Sequence, residues 1–245
     1  MKHLLQRHPF PVRAHFDLSL VITLAAPADS LLPLLPKPFE LDLWKESTAF
    51  LALAFVRTRQ LRPAFLPKST GRSFLLAGYR LFVRHRGPDG RRRRGLFILR
   101  SETDRPFMVT SGNLFTGYQY LNTALRWQTH SQISTITNNQ KLSVTLDHSP
   151  ENHPLPPGSP FSTWRQARRF AGPMPFTFSA DSQRRTVCTV EGVRTEWKPR
   201  PVSIQNLEIP WLKTLTPAPL TPASAFAVQQ TDYLWKKGKV TPFTE

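Results

Sequence analysis

The sequence is poor in cysteine and has no long apolar run. Cys188 is the only cysteine among 245 residues, which excludes an internal disulfide and predicts a reducing, cytoplasmic location. Residues 1–13 lack the continuous apolar core of a secretory signal. The longest apolar runs, at 49–56 and 18–28, are shorter than the ~20 residues of a membrane helix. We therefore expect a soluble protein with no membrane partner.

Acidic residues and glycine are also scarce. The chain has 16 Asp and Glu against 33 Lys and Arg, a formal net charge of +17, and 11 glycines against 24 prolines. Positive charge is concentrated in residues 57–105, which contain 14 basic residues and only three acidic ones, Asp89, Glu102 and Asp104. A field of this sign attracts phosphates and other anions. The proline content is about twice the usual share of roughly 5%, which argues against a helical bundle.

Strands dominate the predicted elements. Residues 15–24 alternate between apolar and polar side chains, the period of a strand with one buried face. Residues 48–58 are apolar on both faces and are predicted as a central strand. The strands at 74–86 and 95–102 flank Gly87-Pro88-Asp89-Gly90, a turn sequence that predicts a hairpin. Further strands are predicted at 132–137 and 141–146, as a second hairpin, and at 176–179, 186–190, 193–197 and 225–235.

Short helices are predicted at 27–35, 107–115 and 162–171. Asp29 and Ser162 are the expected caps of the first and the third helix. Many strands, few helices and no regular alternation of the two predict a mainly β protein, largely antiparallel, with peripheral short helices. We interpret residues 1–245 as a single domain.

Charged residues interrupt otherwise apolar strands: Arg57, Arg80, Arg100 and Glu102. By alternation, Arg100 and Glu102 lie in line with Leu96 and Ile98. Charges on a buried face cost free energy unless they are paired. In one interpretation, Glu102 pairs with Arg100 or Arg80 and only closes the sheet. In the other, the same cluster binds an anionic ligand through charge-assisted hydrogen bonds, and the sequence leaves both open.

A basic run follows the predicted turn and consists of Arg91, Arg92, Arg93 and Arg94. Such a run would suit the phosphates of a nucleic acid. The alternative is a solvated hairpin tip whose charges prevent edge-to-edge pairing. We favour the second interpretation, because no matching recognition fold accompanies the run.

Other motifs predict neither a metal site nor a bound cofactor. His148 and His153 flank a proline-rich loop, but no HExxH or Cys/His spacing of a metal site occurs. Residues 112–117 lack the following Lys and Ser/Thr of a phosphate-binding loop, and no GxSxG nucleophile motif is present. Cys188 lies in the strand-like run TVCTV and is expected to be a small buried apolar residue.

Several segments resemble a known superfamily. LLPKPFEL at 34–41 and GNLFTGY at 112–118 resemble segments of acetoacetate decarboxylase-like proteins. A closer resemblance is to the YqjF-like family of uncharacterised bacterial proteins within that superfamily. It is carried by YRLFVR at 79–84, RGLFILR at 94–100, Arg105-Pro106, Gly117-Tyr118 and DYLW at 232–235. The similarity is best over residues 14–127 and implies an acetoacetate decarboxylase-like closed antiparallel β-barrel with a central cavity.

The sequence departs from that pattern where the decarboxylase chemistry resides. The lysine pair of the decarboxylase falls on Tyr120-Leu121, and neither residue can form an imine. The first-strand arginine of the decarboxylase falls on Ala25, and Gly78 replaces an asparagine expected before Arg80. We therefore predict that Schiff-base decarboxylation is lost while the central cavity persists.

The preferred interpretation is a protein that binds a small anionic or carbonyl-containing molecule. Its predicted ligand-binding residues are Arg80, Arg100, Glu102, Tyr118 and Tyr120. Arginine would hold a carboxylate, Tyr120 would donate to a carbonyl oxygen, and Glu102 would orient an arginine or act as a base. One alternative is a lyase, hydratase or isomerase that works without an imine. Another is nucleic-acid binding through residues 91–94, and the sequence leaves turnover and assembly as a homo-oligomer open.

Overall fold

The computed structural model describes residues 5–151, 153–216 and 218–243. The strands are β1 (Val12–Pro27), β2 (Glu40–Leu41), β3 (Thr48–Pro63), β4 (Arg72–Arg86), β5 (Arg92–Thr103), β6 (Tyr120–Asn122), β7 (Arg126–His130), β8 (Ile133–Thr137), β9 (Ser143–Asp147), β10 (Phe176–Asp181), β11 (Thr186–Arg194), β12 (Arg200–Pro201), β13 (Ser203–Glu208), β14 (Thr221–Trp235) and β15 (Lys239–Pro242). They form two sheets, of eleven and four strands.

The eleven-stranded sheet is strongly curled. Its path is β12–β14–β1–β3–β4–β5–β10–β11–β15, with β2 added to β4 and β6 added to β5. Strand β11 also pairs with β14, with Gly192 opposite Trp235 and Arg194 opposite Tyr233, so the path returns to an earlier strand. Neighbours are antiparallel except that β10 and β6 run parallel to β5. The predicted mainly β fold is confirmed, with two parallel pairs as the exceptions to its antiparallel pairing.

The helices are short and lie between strands. They are α1 (Ala28–Leu31), which continues into a 3-10 turn (Leu32–Leu34), α2 (Pro106–Phe115), α3 (Trp164–Ala171) and α4 (Pro210–Lys213). A second 3-10 turn spans Lys68–Thr70. None of the helices in the described part of the chain is long and apolar enough to cross a membrane.

Three details of the prediction are wrong. Asp29 lies in the first turn of α1 but does not cap it, because Pro27 occupies the N-cap position. The cap of α3 is Thr163 rather than Ser162, and its hydroxyl accepts a hydrogen bond from the backbone N–H of Gln166. The strands predicted at 186–190 and 193–197 are one strand, β11, because the chain stays extended through Glu191 and Gly192.

Strand β3 is buried on both faces because each face packs against different elements. Leu51 and Leu53 belong to the main hydrophobic cluster, which includes Ile136 of the four-stranded sheet β13–β9–β8–β7. Phe50 and Ala52 belong to a second cluster that includes residues of α3. We call the face of Leu51 and Leu53 the outer face and the face of Phe50 and Ala52 the inner face. Double-sided burial of this strand is what its continuous apolar sequence predicts.

Candidate functional site

A bulge in β5 decides which charged side chains share a face. Tyr79 of β4 pairs with Arg100, whereas Arg80 pairs with Ile98, so β5 contains one extra residue at this point. Strict alternation would place Arg100 and Glu102 on the face of Ile98. The bulge moves both to the opposite, outer face, together with Tyr79. The structure thus divides the predicted ligand-binding residues between two faces.

Arg100 and Glu102 form a buried ion pair between the two sheets. Nη2 of Arg100 lies 3.0 Å from Oε1 of Glu102, whose side chain is 1% exposed. The other oxygen, Oε2, accepts hydrogen bonds from Nδ2 of Asn138 at 2.7 Å and from Oγ1 of Thr123 at 3.5 Å. The Arg100 guanidinium lies 4.8 Å from the centre of the Trp211 ring. Because both carboxylate oxygens of Glu102 have donors within the protein, a structural role explains this ion pair without a ligand.

Arg80 extends from β4 to the inner face. Its electrostatic neighbours are Tyr118, Tyr120, Tyr233 and Arg194. Tyr233 is on β14 and Arg194 is on β11, and neither strand borders β4, so these side chains meet across the interior of the curled sheet. Burial lowers the pKa of Arg80, and its side chain makes no hydrogen bond or ion pair with any residue that the structure describes. A half-buried cation therefore lies on the inner face, and no carboxylate among the described residues contacts it.

Gly78 leaves the space next to the Arg80 guanidinium. A Cβ atom at position 78 would lie 2.9 Å from Nη2 and 3.1 Å from Nε of Arg80. The guanidinium therefore lies over Gly78, on the inner face of β4. An asparagine at this position, as the family resemblance implied, would compete with the guanidinium for that space.

Tyr120 is fixed by α2. The side-chain amide of Asn113 accepts a hydrogen bond from the backbone N–H of Tyr120 and donates one to its carbonyl, both at 2.8 Å. A Cβ atom at Gly112 would overlap the Tyr120 ring, so the ring and the helix approach each other only because residue 112 is glycine. Burial raises the pKa of Tyr120 to about 12 and the pKa of Tyr118 well above its usual value. Both phenols are protonated at neutral pH, and the buried Tyr118 hydroxyl has no hydrogen-bond partner among the residues that the structure describes.

Arg194 and Tyr233 complete a polar layer inside the curl. Nη2 of Arg194 donates to the carbonyl of Met174 at 3.0 Å and to Oη of Tyr233 at 2.9 Å. Its guanidinium also lies 5.0 Å from the centre of the Trp197 ring. Within the described residues no carboxylate contacts this arginine or Arg80. We call Arg80, Tyr118, Tyr120, Arg194 and Tyr233 the inner polar layer, and it presents positive charge and hydroxyl donors.

A cavity of about 270 Å³ lies beside this layer, at the end of the curled sheet covered by α2. This volume is slightly below the usual range for small-molecule sites, about 300–1,000 Å³. Tyr118 and Tyr120 belong both to its wall and to the inner polar layer. His8 also lines the cavity, and burial lowers its pKa to about 4, so the ring is neutral at physiological pH. The remaining wall is mainly apolar and includes Phe10, Phe16, Phe74, Leu76, Met108, Phe115 and Trp235.

The basic run at 91–94 is largely compensated by carboxylates. The ion pairs are Arg92 with Glu40, Arg93 with Asp89 and Arg94 with Asp42. Asp42 is fully buried, and its second oxygen lies 2.6 Å from Nε of Arg84. Arg94 also donates to the carbonyl of Phe170 at 2.9 Å, which ties β5 to the end of α3. The run therefore contributes internal contacts, with Arg91 exposed at the hairpin loop.

Sequence reasoning missed Arg194 and Tyr233. Arg194 is a charge in an extended apolar segment, the same signal that identified Arg80. Tyr233 lies in the DYLW segment that carried part of the family resemblance, but no role was attached to it. Within the described residues, no three His, Cys, Asp or Glu side chains are arranged to hold a metal ion.

A curled, mainly β sheet of this topology, with a cavity and a polar layer on its inner face, is the fold of acetoacetate decarboxylase-like proteins. The chain belongs to the DUF2071 family, described as "Uncharacterized conserved protein (COG2071)", whose profile matches residues 14–230. The acetoacetate decarboxylase-like fold predicted from the sequence is thereby confirmed, while the YqjF-like name stays a prediction.

Solved structures show the same fold. An acetoacetate decarboxylase is 12% identical with a TM-score of 0.61, over 95% of this chain and 89% of that chain. The acetoacetate decarboxylase from Legionella pneumophila is 14% identical with a TM-score of 0.60, over 95% and 88%. The enduracididine biosynthesis enzyme MppR is 10% identical with a TM-score of 0.59, over 96% and 88%. A search of curated protein sequences gave no match, and the structural likeness at these identities concerns the fold alone.

Proposed function

We propose that the inner polar layer binds a small molecule with a carboxylate or a carbonyl group. The observation that carries the proposal is Arg80, a cation inside the fold without a hydrogen bond or ion pair to any described residue. An uncompensated buried charge is destabilising, so an anionic ligand that supplies the missing counter-charge would be bound strongly. Clusters of perturbed titratable groups beside a cavity are also enriched at functional sites.

The neighbouring groups suit the same ligand. Arg80 offers a planar guanidinium that can donate two parallel hydrogen bonds to a carboxylate. Tyr118 and Tyr120 are protonated and would donate to a carbonyl or carboxylate oxygen. Arg194 adds positive charge from β11, across the interior of the curled sheet. A solved structure of MppR, which shares the fold, is a complex with pyruvate, at 9% identity and a TM-score of 0.53.

Binding is better supported than proton-transfer catalysis. Glu102, the predicted base, lies on the outer face with both oxygens engaged, and the raised pKa of Tyr120 makes that phenol a donor rather than a base. No lysine occurs among the residues that line the cavity, which supports the absence of an imine. The buried, unpaired Cys188 agrees with the proposed cytoplasmic location. The ion pairs of residues 92–94 leave nucleic-acid binding with less support than ligand binding.

Calorimetric titration with pyruvate and acetoacetate tests the proposal. Arg80→Gln should weaken binding by about tenfold or more, because it removes charge-assisted hydrogen bonds. Arg91→Gln is the matched control, since it removes the same charge from an exposed position. Treatment with acetoacetate and borohydride should leave the protein mass unchanged. Binding that Arg80→Gln and Arg91→Gln affect equally, or the failure of both ligands to bind, would overturn the proposal.

A further inference from the structure

The cavity next to the inner polar layer is too apolar for a compact anion alone. Its wall is dominated by aromatic and aliphatic side chains, and the two phenols in that wall, Tyr118 and Tyr120, are electrostatic neighbours of Arg80. A ligand such as acetoacetate would satisfy Arg80 but leave the apolar wall in contact with water. Apolar surface that stays hydrated contributes nothing to affinity, whereas each methylene buried there does.

The orientation of Arg80 joins the two regions. Its guanidinium lies over Gly78, and Leu76, the next residue of β4 on the same face, is part of the cavity wall. Tyr118 and Tyr120, which are electrostatic neighbours of the guanidinium, are also part of that wall. The two phenols therefore border both the apolar volume and the guanidinium, although Arg80 itself does not line the cavity.

The cavity also carries exposed apolar side chains. Leu66 and Phe107 line it and are 39% and 40% exposed. Phe65, which is 71% exposed, makes an edge contact with the lining residue Phe10 at 5.9 Å between ring centres. Exposed aromatic side chains that converge on one opening mark an entrance for an apolar group. Arg62 and Arg72 also line the cavity and add positive charge near this opening.

We propose that the ligand is an amphipathic monocarboxylate, with its carboxylate at Arg80 and an aliphatic chain or aromatic ring in the cavity beneath α2. This inference rests on the proposed function and names the class of molecule that the same site selects. The carboxylate supplies the counter-charge that Arg80 lacks, and the Tyr118 and Tyr120 hydroxyls donate to its oxygens. The apolar part packs between Phe74, Met108 and the aromatic side chains of the wall.

A series of straight-chain acids, from butyrate to decanoate, tests the inference by calorimetry below the critical micelle concentration of each acid. Affinity should rise with length, by up to about fourfold for each methylene buried, and level off when the chain reaches the opening. The primary alcohols of the same lengths should bind at least about tenfold more weakly than the acids, because they cannot offer a charge to Arg80. Arg80→Gln should weaken the binding of every acid.

Ser111→Trp examines the cavity directly, because Ser111 lines it from α2. The matched control is Thr110→Trp, which places the same side chain at an exposed position one residue earlier on α2. Ser111→Trp should lower the ratio of decanoate affinity to butyrate affinity by about tenfold or more, since a filled cavity excludes the longer chain. Thr110→Trp should leave that ratio unchanged.

The outcomes separate this inference from the proposed function. If short acids bind in an Arg80-dependent way and chain length adds nothing, the amphipathic ligand is excluded while the anion site stands. If acids and alcohols bind equally and Arg80→Gln has no effect, both are overturned. If chain length matters but Ser111→Trp behaves as Thr110→Trp does, the apolar part binds elsewhere and the inference fails.

Discussion

Arg80 and Arg100 lie on neighbouring strands and extend to opposite faces, and we predict that their replacement by methionine changes stability in opposite directions. Arg100→Met leaves Glu102, which is 1% exposed, without its cation. Removal of one partner of a buried ion pair costs about 3–5 kcal/mol. Arg80→Met removes a cation that no described carboxylate compensates. By analogy with buried ion pairs replaced by apolar residues, it should stabilise the ligand-free protein by about 1–3 kcal/mol.

Urea unfolding followed by tryptophan fluorescence measures both changes. The free energy of unfolding is obtained by linear extrapolation, with the m-value checked for constancy, so that altered compactness is not taken for altered stability. Each variant removes one positive charge from a chain of net charge +17, so relief of overall repulsion is the same in both and cancels from the comparison. Arg91→Met, at an exposed position, should stay within about 0.5 kcal/mol of the unmodified protein.

One result would refute this reasoning. If Arg80→Met destabilises the protein as much as Arg100→Met does, then Arg80 contributes to the fold as a structural residue. Its charge would in that case be compensated within the protein, and the basis for an anion site on the inner face would be lost.

Two further predictions concern groups around the cavity. His8 has a pKa of about 4 in the folded protein against 6.5 when unfolded, so the unfolded state binds more protons between these values. The contribution of His8 to the unfolding free energy, about 3 kcal/mol, is present above pH 6.5 and is lost as the pH falls toward 4. His8→Gln should therefore make the unfolding free energy fall less steeply over that range. Equal pH slopes in the variant and the unmodified protein would contradict this. Gly112→Ala should destabilise the protein by about 1–3 kcal/mol, since the new methyl overlaps the Tyr120 ring, and should weaken pyruvate binding in the same titration. In an open helix this substitution stabilises by about 1 kcal/mol, so a gain in unfolding free energy would show that the ring is free to move.

Local patterns predicted much of the fold. Alternation identified β1, double-sided apolarity identified β3, and the Gly-Pro-Asp-Gly turn identified the β4–β5 hairpin, because each of these signals depends on only a few neighbouring residues. The division of β11 into two strands was wrong because Glu191 and Gly192 weaken the local strand signal while pairing with other strands keeps the chain extended. Short strands such as β6 give no local signal of their own, since their position is set by pairing with β5.

The candidate site was predicted only in part, because patterns within one strand do not show which side chains of distant strands come into contact. Arg80, Tyr118 and Tyr120 do lie together beside the cavity. Arg194 approaches them from β11, 114 residues after Arg80 and 74 residues after Tyr120 in the sequence. Which side chains meet across the interior depends on how the curled sheet returns from β11 to β14. No pattern within a single strand contains that information.

The bulge in β5 determines the charge on the inner face of the curled sheet. Strict alternation of side chains along β5 predicts the wrong face for Glu102. Without the extra residue, Glu102 would lie on the inner face with Arg80, and an internal ion pair would satisfy that arginine. With the extra residue, Glu102 contacts Arg100 and Asn138 between the two sheets. Arg80 then has no carboxylate contact on the described part of the inner face. An anionic ligand can then take the place that Glu102 would have filled. Restoring a carboxylate on the inner face, for example by Ser101→Asp at the position opposite Gly78, should therefore abolish carboxylate binding through competition for Arg80, whereas Ser101→Asn should preserve it.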